Sequence, residues 1–213
     1  MERVRGPNCA KCVAKPCYRN PDAPRPSFCP ANLYPHIFEK VREIYRSNEF
    51  VARIARIASI VEKEGYGVWP RLREIVEFAK RLGLKRLGLA FCIGLSEEAR
   101  KVVEYLESQG FEVYSVCCKC GSIDKTELGL SEEQKLVPGT FEAICNPVAQ
   151  ALILNEVGTE LNIVLGLCVG HDTLFTMFSR APVTYLAVKD RVTGHNPLAA
   201  IYAMHYFRKR LFE

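Results

Sequence analysis

The chain has 213 residues, of which 48% are hydrophobic and 25% charged, with a formal net charge of +5. This length predicts one globular domain with a small appendage, and the composition is that of an ordinary soluble core. Lys and Arg are scattered among Glu without a basic stripe, so we expect no nucleic-acid partner. No apolar stretch approaches the roughly 18 residues of a membrane span, and the N-terminus lacks the apolar core of a secretory signal. We therefore expect a cytoplasmic protein without a membrane partner.

Ten cysteines are the unusual feature of the composition. Cytosolic thiols are kept reduced, so this number favours metal or redox chemistry over structural disulfides. We predict two regions: residues 1–34 form a cysteine-rich metal-binding appendage, and residues 35–213 form a helical lead-in followed by an α/β metal-binding domain.

The appendage carries four cysteines with the spacing C-x2-C-x4-C-x11-C, and they are Cys9, Cys12, Cys17 and Cys29. Six prolines between residues 1 and 34 exclude a long helix. A segment this short cannot bury a core of its own, so a metal held by four thiolates would stabilise it. Zinc remains an alternative here, but Pro30 directly after Cys29 is typical of the last ligand in bacterial ferredoxins and favours an iron–sulfur cluster.

The remaining elements are predicted in chain order. Apolar periodicity predicts scaffold helices over residues 34–47 and 48–64, and a third from Pro70 to Gly83. Strands are then predicted over residues 86–92, 111–117, 161–168 and 183–188. Ser96 is expected to cap the helix after the first strand, Asn146 and Pro147 to begin the helix after Cys145, and residues 194–197 to precede one last helix.

Strands that alternate with helices predict an α/β fold, namely an open, mostly parallel four-stranded Rossmann-like sheet with helices on both faces. Right-handed crossovers bring the carboxyl ends of all strands to one edge, where such sheets bind ligands. The predicted inner centre consists of the cysteines that fall at this edge: Cys92, Cys118, Cys145 and Cys168. Cys117 is adjacent to Cys118 and should point to the opposite face.

The inner cysteines are single and far apart in the sequence, whereas structural zinc sites usually use paired, closely spaced cysteines. A cluster is larger than one ion and can bridge separated loops, so we expect iron–sulfur, as [4Fe–4S], at both sites. The plain alternative for any one of these residues is a buried cysteine that acts as a small hydrophobe.

Polar residues at the same edge are candidates for catalysis or substrate binding. They are His171, Lys189, Asp190, Arg191 and His195. His171 follows Cys168 at a helix start, and the Lys189–Arg191 turn could recognise an anionic small molecule. The alternative is an ordinary surface turn, and helix capping accounts for Asp172. The long loop 119–144 is typical of a lid, a binding loop or a disordered segment.

Five blocks of the sequence resemble a known family. They are FCIGLSEEA, SVCCKCGSIDK, CNPVAQALILN, GLCVGHDTLF and APVTYLAVKDRVTGHNP. The chain resembles, over nearly its whole length, an uncharacterised prokaryotic family labelled as metal-binding proteins. The resemblance implies metal binding through the four cysteines of the appendage and the four of the inner centre, leaves Cys120 out, and implies no reaction.

Three functions remain open from the sequence. The first is an iron–sulfur enzyme, an oxidoreductase or lyase of anaerobic metabolism, in which loop 119–144 covers the inner centre. The second is an iron–sulfur electron carrier or redox sensor with a redox partner protein and no substrate. The third is a zinc-stapled binding protein. Motifs for nucleotide binding and for ordinary hydrolases are absent from the sequence.

Overall fold

The computed structural model describes residues 6–213, apart from the side chain of Arg19. The chain divides into two compact units, Met1–Ile60 and Val61–Glu213. Residues 1–5 of the predicted appendage lie outside the described residues. No helix in the described part of the chain is both long and apolar enough to cross a membrane.

The first unit consists of short turns followed by longer helices. A 3-10 helix at Cys9–Lys11 precedes helices α1 (Pro16–Arg19), α2 (Pro30–Leu33), α3 (Pro35–Ser47) and α4 (Glu49–Gly65), the last of which continues past the division between the units. Proline begins α1, α2 and α3, as expected for a residue whose missing N–H costs nothing in the first turn. Within residues 6–34 no helix exceeds four residues, which the six prolines predicted.

The second unit contains a four-stranded parallel sheet, which confirms the predicted fold class. The strands are β1 (Arg86–Phe91), β2 (Glu112–Cys117), β3 (Leu161–Leu167) and β4 (Val183–Val188), in the order β2-β1-β3-β4. All three neighbouring pairs are parallel, and Phe91 at the end of β1 pairs with Cys117 on one side and Leu165 on the other. The carboxyl ends of the strands therefore share one edge.

Helices cover both faces of this sheet. On one face lie α5 (Arg71–Leu82) and α6 (Ser96–Ser108), and on the other lie α7 (Pro147–Glu156) and α8 (His171–Phe178). The last two helices, α9 (Leu198–Tyr202) and α10 (Met204–Phe212), follow β4 along the chain. One core joins Val76 of α5 and Leu106 of α6 to Leu89 of β1. A second core joins Leu154 of α7 and Phe175 of α8 to the other face of the sheet. Residues of β3 belong to both cores, as the alternation of side chains along a strand requires.

Three local predictions are wrong. Asp172 does not cap α8, whose N-cap position is Gly170; its carboxylate instead accepts from the N–H of Thr173 at 2.8 Å. Ser96 does not cap α6 but is its first residue, and its hydroxyl donates to the carbonyl of Ile93 at 2.6 Å rather than accepting from a helix N–H. A 3-10 turn that precedes the helix changes the geometry at this point. The single last helix is instead divided at Ala203 into α9 and α10, and Pro197 rather than Asn196 occupies the N-cap position.

Loop 119–144 has a defined internal structure. It contains 3-10 helices at Lys125–Leu128 and Glu132–Gln134. The carboxylate of Asp124 accepts hydrogen bonds from the backbone N–H groups of Thr126 and Glu142, each at 2.9 Å. The buried ammonium of Lys135 pairs with Asp124 at 3.1 Å and with Glu132 at 2.8 Å. The loop is therefore an ordered segment held by charge-assisted hydrogen bonds.

Candidate functional site

The candidate site lies at the carboxyl edge of the sheet, where backbone hydrogen bonds extend the ladders by one residue. The N–H of Cys92 donates to Leu165 at 3.0 Å, and the N–H of Cys118 donates to Phe91 at 2.9 Å. From β1 the chain adds β2 on one side, and then adds β3 and β4 on the other side, so the strand order switches between β1 and β3. Cys92 and Cys168 directly follow these two strands. Open α/β sheets bind their ligands at such a switch point.

Cys145 reaches this edge because loop 119–144 closes on itself. Near its two ends, the N–H of Ile144 donates to Ile123 at 2.8 Å, and the N–H of Asn146 donates to the carbonyl of Cys118 at 2.7 Å. Asn146 also caps α7 by accepting from the N–H of Ala149 at 3.1 Å, as the sequence predicted. Cys145 is thereby placed beside Cys118, which is distant in the sequence.

The thiols of Cys118 and Cys145 interact directly with each other. The pKa of Cys145 is lowered, chiefly because it accepts a hydrogen bond from Cys118 and also because of His171. The pKa of Cys118 is raised, because its thiol donates to Cys145 and is buried. The backbone N–H of Ile93 also donates to the Cys118 sulfur at 3.3 Å. One member of this pair is therefore poised as a thiolate, the form that binds metals.

Two side chains that can carry a positive charge, those of His171 and Arg191, face the thiols. His171 is the first residue of α8, and its pKa is raised, mainly by interaction with Cys145 and secondarily by Cys168. Arg191 donates from Nη2 to the sulfur of Cys168 at 3.2 Å. This contact, together with the charges of Cys92 and Cys145, raises the pKa of Arg191. All four predicted inner cysteines thus belong to one electrostatically coupled group, which we call the inner thiol group: Cys92, Cys118, Cys145 and Cys168.

The other predicted polar residues have different surroundings. Lys189 extends along the same edge, with its Nζ atom near Gly94 and its side chain near Gly166. Asp190 accepts from the N–H groups of Val192 and Thr193 in its own turn, and its pKa is lowered, first by the side chain of Thr193 and then by these N–H groups. Residue 195 has a positive φ of 67°, and its Nδ1 accepts from the N–H of Asp190 at 3.2 Å. The contacts of Asp190 and His195 therefore stabilise the turn that presents Arg191.

Cys117 and Cys120 form a separate pair beside the inner thiol group. The N–H of Cys120 donates to the carbonyl of Cys117 at 3.2 Å, which closes the turn after β2. The pKa of Cys120 is raised, first by burial and then by the charge of Cys117. The two residues interact with each other, while Cys118 between them interacts with Cys145 and Cys92.

The four N-terminal cysteines line one cavity within the first unit. Cys9, Cys12, Cys17 and Cys29 all contribute to a cavity of about 1150 Å³. Its other walls include Tyr18, Phe28, Phe38 and several prolines, together with the cations Lys15, Arg25 and Arg42. We call these four residues the front thiol group. Cys9 and Cys17 are exposed, whereas Cys12 and Cys29 are half-buried.

The donor chemistry of both groups suits soft metals, since thiolates bind zinc, copper(I) and the irons of clusters. Among residues 6–213, however, no three His, Cys, Asp or Glu side chains converge as the ligands of one metal ion. At the inner edge, Nδ1 of His171 is buried and has no hydrogen-bond partner within the described part of the chain. Buried polar atoms are rarely left without partners, so this atom is consistent with an additional group at the site.

Two further residues position the inner thiol group, and sequence reasoning missed the first of them, Gln150. Gln150 of α7 is fully buried and donates from Nε2 to the carbonyls of Val116 at 2.6 Å and Phe91 at 3.2 Å, which ties the ends of β2 and β1 together. Gly166 has a positive φ of 68°, and a Cβ atom there would lie 2.2 Å from Leu95. The only signal for Gln150 was an amide within an otherwise apolar helical segment.

The fold and these thiols define a cysteine-rich α/β protein with a parallel sheet. A family model described as "Protein of unknown function (DUF1847)" matches residues 29–186, and the chain belongs to this family. The chain is 44% identical over 203 residues to the "Uncharacterized protein MJ0455" of Methanocaldococcus jannaschii, an alignment that covers 95% of this chain and 97% of that protein. No solved structure matches the chain. Neither description mentions a metal.

Proposed function

We propose that this is an iron–sulfur protein whose inner cluster is held by Cys92, Cys118, Cys145 and Cys168 and acts in redox or small-molecule chemistry. The observation that carries the proposal is the inner thiol group itself, in which thiols from separate loops are coupled through Arg191 and His171 at the ligand-binding edge. Thiols that served only as small hydrophobes would have no need of two cationic partners.

The arrangement of side chains favours a cluster over a single zinc ion. Zinc requires four donors about 2.3 Å from one atom if all are sulfur. No such convergence is found among the described side chains. In a [4Fe–4S] cluster the four cysteines are spread over a larger group. The four inner cysteines come from four separate segments of the chain, which a larger group can bridge.

We extend the proposal to a second cluster at the front thiol group. The cavity of about 1150 Å³ that the four cysteines line is far larger than one ion. Its walls carry three cations, Lys15, Arg25 and Arg42, and one carboxylate, Glu39, so their net positive charge would offset part of the negative charge of a cluster with four thiolate ligands. Zinc remains the alternative metal at this group, because the C-x2-C pair at Cys9 and Cys12 is also a zinc-binding spacing.

The residues of the inner edge suit an enzyme that binds a small anion. Held by all four cysteines, the cluster would supply an electron; a Lewis-acidic iron would require one of these ligands to be absent. Arg191 and Lys189 provide positive charge at the open edge, and Arg191 can form paired hydrogen bonds to a carboxylate or phosphate. His171 begins α8 and interacts with Cys145 and Cys168, so it could hold a proton near the bound anion.

One observation favours a second candidate, an electron carrier or redox sensor. Cys9 and Cys17 of the front thiol group are exposed. A cluster held by exposed ligands would be accessible to a partner protein. In this case the cations at the inner edge would stabilise the charge of the cluster rather than bind a substrate.

Metal analysis tests the proposal. The protein is purified without oxygen, its iron, sulfide and zinc are measured, and its absorption spectrum is recorded. We expect iron and sulfide in equal amounts, with loss of one cluster in Cys168→Ser and none in the matched control Cys120→Ser. A colourless protein with zinc and no iron, or an unchanged iron content in Cys168→Ser, would contradict the inner cluster.

A second measurement separates enzyme from carrier. The electron paramagnetic resonance spectrum of the reduced protein is recorded with and without a small carboxylate such as acetate or malonate. An enzyme site predicts a spectral change that Arg191→Gln abolishes and that the surface control Arg100→Gln retains. A spectrum that no anion alters favours the carrier.

A further inference from the structure

A second thiol site lies beside the inner thiol group and is used by neither proposed cluster. Cys117 and Cys120 form a C-x-x-C sequence at the turn after β2. We propose that Cys117 and Cys120 are a redox-active dithiol that forms a reversible disulfide by exchange with a low-molecular-weight disulfide. Exchange-active cysteines of this kind are the transient disulfides found in reducing compartments.

The backbone places the two residues at a suitable separation. The N–H of Cys120 donates to the carbonyl of Cys117 at 3.2 Å, which is the i to i+3 hydrogen bond of a β-turn. The Cα atoms at the ends of such a turn are less than about 7 Å apart. A disulfide requires Cα atoms about 4.4–6.8 Å apart. The turn therefore needs little rearrangement to accommodate the bond.

The surroundings assign different roles to the two sulfurs. The backbone N–H of Lys119 points to the sulfur of Cys117 at 3.5 Å, so that this sulfur has a donor that can stabilise a thiolate. The backbone donor at the Cys120 sulfur is the N–H of its own residue, and that sulfur lies near Cys117. Both side chains are half-buried rather than enclosed. We therefore assign Cys117 as the attacking thiol and Cys120 as the resolving thiol.

The side chains of the two residues between them, Cys118 and Lys119, have other partners. The sulfur of Cys118 accepts from the N–H of Ile93 at 3.3 Å and donates to Cys145. The side chain of Lys119 is directed to the carbonyl of Ala143 in loop 119–144. Within this short segment Cys118 thus belongs to the inner thiol group, whereas Cys117 and Cys120 interact with each other.

The reaction balances as an ordinary thiol–disulfide exchange. The thiolate of Cys117 attacks one sulfur of a small disulfide, which breaks that bond and releases one thiolate. The thiol of Cys120 then loses its proton to solvent and attacks the Cys117 sulfur, which forms the Cys117–Cys120 bond and expels the second small thiolate. The protein dithiol loses two electrons, and the small disulfide gains them as two thiols.

Peptide mapping tests this assignment, because Lys119 lies between the two residues. The anaerobic full-length protein is treated with hydroxyethyl disulfide, alkylated, and cleaved with trypsin, which separates residues 102–119 from residues 120–125. We expect a disulfide that links these two peptides. The link should persist within about twofold in Cys118→Ser and fall at least about tenfold in Cys117→Ser. Cys120→Ser should instead retain the small thiol on Cys117.

Three results would overturn the proposal. They are no link between the two peptides, a link that persists in Cys117→Ser, and a link from residues 102–119 to Cys145 in place of Cys120. None of these results depends on the metal content. Iron analysis of Cys120→Ser, where we expect no loss, therefore keeps a failure of the dithiol distinguishable from a failure of the inner cluster.

Discussion

The two thiol groups of this protein differ in how much buried core supports them. In the described residues 6–34, which carry the front thiol group, only Pro16 is buried. By contrast, every residue of β3, which leads directly to Cys168, is buried. The inner thiols are therefore positioned by a packed sheet before any metal binds, whereas the front segment has almost no core to hold its thiols in place. We therefore expect residues 6–34 to need a metal in order to stay folded, whereas the inner edge should be folded without one and use a metal only for its function.

The largest effect is expected when the metal is removed. Stripping the protein with a chelator under anaerobic conditions should make residues 6–34 at least about tenfold more sensitive to protease, because local order without a core is easily lost. The unit Val61–Glu213 should remain resistant, since two hydrophobic cores made largely of aliphatic and aromatic side chains hold it together. Mass spectrometry of the cleavage products locates the cuts.

The double variant Cys9→Ser/Cys12→Ser is the matched control for this experiment. It should reproduce the sensitivity of residues 6–34 without a chelator. Equal resistance of the two regions after stripping would refute the contrast between them.

The second effect tests the packing beneath the inner thiol group. Phe175 of α8 is fully buried, so Phe175→Ala should lower the free energy of unfolding of the second unit by about 3–5 kcal/mol. Phe178 on the same helix is 43% exposed, and Phe178→Ala should cost much less. Urea denaturation followed by circular dichroism measures both variants. A similar loss in both would show that α8 does not form the core described above.

A smaller effect is expected from the glycine that shapes the inner edge. Gly166 and Gly170 both have positive φ, so an alanine at either position strains the backbone. A Cβ at residue 166 would also lie 2.2 Å from the buried Leu95, whereas nothing lies within 4 Å at residue 170. Gly166→Ala should therefore cost about 1 kcal/mol more than Gly170→Ala in free energy of unfolding. Equal costs would mean that Leu95 moves away freely.

The smallest effect is a pH dependence confined to loop 119–144. The pKa values of Asp124 and Glu142 are lowered, Asp124 first by the Thr126 N–H and Glu142 first by Lys125. The folded loop binds the charged form of both carboxylates more favourably than the unfolded chain does. The stabilisation that they contribute is therefore fully present above the ordinary carboxyl pKa near 4 and is lost as the pH falls below that value. Hydrogen-exchange protection in the loop, corrected for intrinsic rates, should decrease below about pH 4, while protection in β3 persists.

Asp124→Asn should reduce this pH dependence, because the amide does not titrate in this range. Retention of the full dependence in the variant would assign it to other carboxylates. Together these measurements rank three regions by local stability: residues 6–34 should be the least stable, loop 119–144 intermediate and the sheet the most stable.

Much of the architecture follows from the sequence by itself. The strand predicted over residues 183–188 is observed with the same bounds, and the parallel sheet with helices on both faces is confirmed. These features follow from local hydrophobic patterns and from the fixed hand of β-α-β crossovers, which together place the strand ends at one edge. The placement of Cys92, Cys118 and Cys168 at that edge needs no further information. Iron–sulfur binding, the metals and the reaction remain predictions.

Only the tertiary structure decided which side chains interact at this edge. Cys145 meets Cys118 because backbone hydrogen bonds close the loop between them, and Arg191 meets Cys168 because of the turn that Asp190 and His195 stabilise. The same holds for Ser96, whose hydroxyl turns to Ile93. Such contacts join residues far apart in the sequence or depend on competing local hydrogen bonds, and no periodicity encodes them. The sequence placed thiols at the ends of strands, and the folded chain decided which of them meet.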